Sequence, residues 1–134
     1  MSEHKRIQIT NERGQTMTEF AIVLPLLCVL LFGIVQFGIV WNNYVTVTDA
    51  ARAGARKAAV NRRTDPTGEG CKTVRSSAAN LDQSKLSCNV SIAGPLDRPG
   101  ADVTVEVSYP YSINVLGVAV KAGALETKTT ERME

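Results

Sequence analysis

The sequence predicts an α+β protein in which a long N-terminal helix crosses a membrane, continues into an extracytoplasmic stem and packs against a small antiparallel β-sheet. Three observations predict it. Residues 20–41 are 22 consecutive positions without Asp, Glu, Lys or Arg. Small residues then recur at helical spacing as far as residue 60. Beyond Leu86 the apolar period changes from 3.6 to 2, the period of a half-buried strand. With 134 residues and a formal net charge of +2, the chain suffices for one small domain besides the span.

A helix of 22 residues reaches about 33 Å, against a hydrocarbon core of about 30 Å. A buried core helix is the competing reading, but 22 apolar residues leave no polar side for water. Pro25 is expected to kink the first turns by freeing the carbonyl of Ala21, a defect that lipid tolerates where a neighbouring helix or water satisfies the group. Gln36 is the one strongly polar side chain of the run, either a common snorkelling amide or a contact to a partner helix. Cys28 reads as a small buried hydrophobe. Trp41, Asn42, Asn43 and Tyr44 resemble an interfacial girdle.

Charge does not orient the span. Lys5, Arg6 and Arg13 precede it and Arg52, Arg56 and Lys57 follow it, a tie under the positive-inside rule. Cys71 and Cys88 decide, if paired, because a bridge requires an oxidising compartment for the C-terminal part; two free thiols in a reduced tail are the alternative. The bridge is expected, since a small domain with a thin core is where disulfides stabilise most.

What precedes the span is Arg13-Gly14-Gln15-Thr16-Met17-Thr18-Glu19-Phe20, with glycine five residues ahead of a lone acid at the membrane boundary. No small-residue secretory cleavage site follows Trp41. Glycine lets an extended backbone enter a protease cleft without a side chain to clash. An acid at the mouth of a transmembrane helix is costly unless the helix dipole or a nearby ammonium compensates it. This stretch resembles the type IV prepilin (class III) signal, with Glu19-Phe20 close to the Glu-Tyr of Flp-type pilins.

The series Glu19-Phe20-Ala21, Leu24-Pro25, Phe32-Gly33-Ile34, Phe37-Gly38 and Asp49-Ala50-Ala51-Arg52-Ala53-Gly54-Ala55-Arg56 is similar to the TadE-like family of minor pilins or pseudopilins of tight-adherence (Tad) pilus systems. The resemblance covers about residues 13–60. It implies a leader of residues 1–14, cut on the cytoplasmic side between Gly14 and Gln15 by a membrane prepilin peptidase. Glu19 then becomes the fifth residue of the mature chain, and its pairing with an α-ammonium sets axial register between stacked subunits. The further partners implied are other pilin subunits, the inner-membrane platform of the pilus machine and the lipid bilayer. Gln36-Phe37-Gly38 departs from the Glu-Phe-Gly expected of relatives, so no second membrane acid is available.

Residues 15–60, read as one unbroken helix, span about 69 Å, the stem of a pilin-like lollipop. Val47, Ala50, Ala51, Gly54 and Ala58 form a narrow face that allows close approach of a sheet or helix, while Asp49 and Arg52 can pair at i, i+3 on a solvated side. Residues 61–134 form the head. Residues 61–70, with Asp65-Pro66-Thr67-Gly68, read as a turn-rich break, and residues 72–83 as one short helix. Cys88, Val90 and Ile92 alternate in a first strand, and Val103, Val105 and Val107 in a second, joined through Gly94-Pro95 and Pro99-Gly100. Tyr109-Pro110-Tyr111 is expected to end the second strand. Residues 113–120 are apolar around Gly117, free to cover the sheet, meet a neighbouring subunit or touch the membrane surface. Residues 125–132 are the third strand.

These features argue against an enzyme. The one histidine is His4, carboxylates are not clustered, and the three cysteines are too few and scattered for a four-ligand zinc site. No cofactor, metal or catalytic residue is expected. The balanced charge argues against nucleic acid, which needs clustered cations on one face. The expected function is a structural subunit, made at the bacterial inner membrane with its N-terminus cytoplasmic and its head outside, and assembled through its helix into a pilus that supports adhesion or surface contact. An uncleaved single-span protein with a partner- or ligand-binding head is the alternative.

Overall fold

The computed structural model describes residues 12–61, 63–96, 99–115 and 117–133. His4, Lys5 and Arg6, and with them most of the expected leader, lie outside the described residues. The elements in order are α1 (Glu12–Val60), α2 (Pro66–Ser77), β1 (Ser87–Ala93), β2 (Asp102–Val115) and β3 (Val118–Arg132). The chain divides into two compact units, residues 1–35 and 36–134. In the first, the described chain is the beginning of α1, with Pro25 inside the helix and apolar side chains such as Phe20, Ile22 and Leu26 exposed. The helix starts at Glu12, three residues ahead of the start expected at Gln15.

The second unit is an antiparallel meander of order β1-β2-β3 packed on the C-terminal part of α1. Val47, Ala50, Ala51, Ala55 and Ala58 of α1 are fully buried against Val103, Val105 and Val107 of β2, with Val74, Ala78 and Met133 completing the core. The small-residue face read from the sequence is therefore the sheet-facing side of the stem. Removing side chains of this size from water contributes about 0.8 kcal/mol per buried methylene, so the core is built from many small terms. Asp49 and Arg52 pair at 3.5 Å on the solvated side.

Gly54 makes the approach of α2 possible. A β-carbon there would overlap the Val74 methyl and stand 2.9 Å from the Gly70 carbonyl oxygen. A β-carbon on Gly70 would stand 3.1 Å from that of Ala58 and 3.4 Å from the Gly54 carbonyl oxygen. Each glycine thus faces the other helix's backbone.

Helix α2 begins at Pro66, where a turn-rich break was expected, and ends at Ser77, where residues 72–83 were expected to be helical. The reason lies in Asp65-Pro66: the Asp65 carboxylate accepts from the Gly68 amide at 2.8 Å, and proline fills the first helical position, where no amide partner is needed. Residues that read as a break are a helix start.

Strand β2 does not stop at Tyr109-Pro110-Tyr111 but runs on to Val115, with Pro110 opposite Ala124. β1 ends opposite Ser108, so beyond that point β2 is an edge strand, where proline is tolerated. β3 accordingly starts at Val118, seven residues earlier than the expected 125. The β1–β2 connection turns through Gly94 and Gly100, at φ 117° and 103°, and Gly100 donates to the Met133 carbonyl at 2.9 Å while the Met133 amide donates to Ala101 at 2.8 Å.

Cys71 of α2 and Cys88 of β1 form a disulfide. Closing a loop of this size stabilises by about 3 kcal/mol in the chain-entropy model. Thermal melts of the full chain in detergent, followed by circular dichroism, should show the strand signal melting well below the oxidised protein once the bridge is reduced; an unchanged melt would show the bridge to be dispensable.

Candidate functional site

The residues read as processing and assembly determinants lie together at the start of α1. Gly14 and Gln15 are both helical, and the Gln15 amide donates to Glu19 at 3.2 Å, one turn on. The Thr18 hydroxyl donates to the Gly14 carbonyl at 2.9 Å. Thr18 was not singled out in the sequence, although a hydroxyl four residues after the glycine was the available signal. The peptide bond between Gly14 and Gln15 thus sits in helical backbone with its carbonyl engaged, and glycine lowers the cost of unwinding it by about 1 kcal/mol relative to alanine. Pro25 lies six residues beyond Glu19 in the same helix.

From Phe20 to Trp41 the helix offers an apolar surface without a charged side chain. It is long and apolar enough to cross a membrane, and none of its most apolar window is buried within the chain. Phe37 stacks on Trp41 with ring centroids 6.2 Å apart, and Tyr44 meets Trp41 at a tilt with centroids 5.9 Å apart, at the place read as the interfacial girdle. Gln36, Val40 and Asn43 are half-buried, whereas Phe37, Ile39 and Trp41 are exposed. Their spacing continues the face that begins fully buried at Val47, so Gln36 lies on the core-facing stripe.

The sheet face away from the core is polar. Asn89, Glu106 and Lys128 stand side by side across the three strands, with Lys128 and Glu106 paired at 2.8 Å. The hydrogen bond from Lys128, its charge and Asn89 hold the Glu106 carboxyl below its ordinary 4.5. Asp82 is held below 3.8 by the hydroxyl and amide of Ser84, at 2.6 and 3.0 Å, and by Lys85. Both carboxylates are more acidic folded than unfolded, so each stabilises the head above its unfolded value and loses that contribution as pH falls through its folded one. Melting temperature should therefore decline below about pH 4.5, and Asp82→Asn with Glu106→Gln should flatten the decline in the same melts. Both groups are exposed, so the effect is small beside that of the disulfide.

Among the described residues there is no group of three or more His, Cys, Asp or Glu placed to hold a metal ion. The shallow depression between Glu106, Glu126 and Lys128 on the polar face is also lined by the hydroxyl-bearing Ser87 and Ser108, a set of carboxylates, hydroxyls and one cation open to solvent.

Residues 14–56 match the TadE-like protein family model. The match begins at Gly14 and ends within the buried part of α1, so the TadE-like segment includes Gly14, Gln15, Glu19 and Pro25, the apolar span and most of the small-residue face. The head lies outside it. A TadE-like segment associates the protein with Tad pili and with a membrane. No curated protein and no solved structure matches the chain significantly.

Proposed function

We propose that this protein is a minor pilin or pseudopilin, cut between Gly14 and Gln15 by a prepilin peptidase on the cytoplasmic side and assembled through its N-terminal helix into a Tad-type pilus that supports adhesion or surface contact. The reading rests on one juxtaposition: glycine and a lone acid, five residues apart, at the mouth of an apolar helix whose TadE-like match begins at that glycine. Cleavage requires the first turn to unwind, releasing the Gly14 carbonyl from Thr18, because a protease binds its substrate extended. The new α-ammonium on Gln15 then lies one turn from Glu19. Within one chain or between neighbours, that charge-assisted pair neutralises an acid that would otherwise be costly in a bundle of apolar helices.

Residues 15–60 serve as the assembly helix and residues 61–134 as the head on the outer side of the inner membrane, where the disulfide is stable. A span of 22 apolar residues leaves lipid only for another apolar environment, which a bundle of like helices supplies. The motor, the platform and the peptidase are separate proteins, since this chain carries no nucleotide-binding or catalytic motif.

The test is the intact mass of the chain extracted from the membranes and filaments of its native host. A mass beginning at Gln15 supports processing and removes Lys5, Arg6 and Arg13 from the mature protein. Assembled material that retains Met1 or Ser2 would overturn the reading and favour an uncleaved anchor with a binding head.

A further inference from the structure

The β2–β3 hairpin is twice as long as the sheet needs. β1 covers β2 only from Asp102 to Ser108; beyond it, residues 109–115 and 118–125 form a two-stranded ribbon with no third strand. No residue from Tyr109 to Leu125 is acidic and only Lys121 is charged, whereas the three-stranded part carries Asp102, Glu106, Glu126, Lys128, Glu131 and Arg132. At the tip Val118 and Val120 are 68% and 65% exposed, beside a turn in which Gly117 has φ 84°.

The direction of this ribbon is set by two contacts. The hydroxyls of Thr48 in α1 and Thr127 in β3 meet at 3.2 Å, and Arg56 and Val60 line one depression with Glu131 and Arg132. α1 and β3 therefore run in the same sense, and β3 followed backwards from Thr127 travels toward Trp41. Nine residues separate Thr127 from Val118, about 30 Å of strand. Seven separate Thr48 from Trp41, about 10 Å of helix. Even at an inclination of about 70° to the helix axis, a strand of this rise brings the tip level with Trp41.

We propose that the tip of this hairpin, residues 113–115 and 117–120, rests in the headgroup region of the bilayer beside the point where α1 leaves it, with Val118 and Val120 toward the acyl boundary and Lys121 among anionic headgroups. The tip reaches at least as far along α1 as Trp41 in the aromatic girdle, and its composition is that of an interfacial segment: apolar, free of acids, with one flanking cation. Depth is limited by the backbone. The ribbon has two unpaired edges and an irregularity at Ile113 and Asn114, whose amides and carbonyls need water or headgroups. This contact would hold the head against the membrane before assembly and release it on extraction of the helix. It rests on the membrane-span reading and not on processing.

The test uses the full chain with Cys28→Ser in phosphatidylcholine–phosphatidylglycerol vesicles, with single cysteines at Val118, Val120, Ser91 or Val29 carrying an environment-sensitive fluorophore. The intact Cys71–Cys88 bridge on non-reducing gels reports folding. Nitroxide lipids labelled near the headgroup should quench the probes at 118 and 120 about threefold more than the Ser91 probe, with deep-labelled lipids less effective. Equal quenching at 118, 120 and 91, with the Val29 probe quenched by deep nitroxides, would overturn the proposal alone. An unquenched Val29 probe would overturn the span reading with it. A blue shift at 118 that vanishes on diluting protein in lipid, without nitroxide quenching, would assign the tip to a second copy and overturn lipid docking.

Discussion

Glu19→Ala is expected to leave the chain inserted in the membrane and to remove it from filaments. The Glu19 side chain contacts Gln15 at 3.2 Å on the exposed side of α1, and nothing in the core depends on it, so carbonate-resistant membrane association and the disulfide should persist. Assembly should not. A hydrogen bond to a charged group contributes about 1.5–3 kcal/mol, roughly tenfold or more in each subunit addition, and the loss repeats at every position the subunit occupies. Glu19→Gln preserves shape and the contact to Gln15 but not charge, and should resemble alanine. Sheared filament yield and electron microscopy read the result; filaments containing the alanine variant at normal yield would mean that the acid merely caps the helix.

Gly54→Leu is expected to unfold the head. A β-carbon alone overlaps the Val74 methyl and approaches the Gly70 carbonyl at 2.9 Å, and Val74 is fully buried, so α2 must move to admit it. Overpacking of this kind costs about 1–3 kcal/mol for a small addition. For Gly54→Ala, the gain in helix propensity of about 1 kcal/mol offsets part of that. Leucine gains nearly the same propensity, but its larger side chain overlaps far more at a backbone-to-backbone contact, and a small head holds only a few kcal/mol in reserve. Gly70→Ala, whose β-carbon would meet its neighbours at 3.1–3.4 Å, should cost less than Gly54→Ala. Thermal melts and protease resistance of the four proteins would rank them, and an ordering with Gly70→Ala worst would contradict the close crossing.

Much of the fold was legible in the sequence for definite reasons. Val47, Ala50, Ala51 and Ala58 declared their shared face because helical period alone aligns them, and Val103, Val105 and Val107 declared a strand because alternation has one interpretation once a face is buried. The misreadings were of residues whose meaning depends on neighbours in space. Asp65-Pro66 is a turn or a helix start according to whether apolar partners such as Val74 wait on the following turns. Pro110 ends a central strand but not an edge strand, and nothing local says that β1 begins only at Ser87, opposite Ser108. Glycine in the small-residue stripe was visible at 54, but its counterpart at Gly70 sat within the supposed break. Of the candidate site, Gly14, Gln15 and Glu19 stand out as a spacing at the edge of an apolar run, whereas Thr18 emerges only when its hydroxyl is placed on the Gly14 carbonyl.

The meander has a consequence for how the head comes into being. α2 is bridged to β1, β1 pairs with β2 and β2 with β3, so each of these contacts joins elements adjacent in the chain. Contacts of short sequence separation form fast, and little loop entropy opposes them. Each piece can therefore settle as the chain is made, before the later strands are available. The exception is the closure of the sheet over α1, which brings Met133 into the same core as Val47. That step waits for the last strand, and it is the moment at which α1, already held in lipid, becomes the template on which the rest of the molecule is laid down.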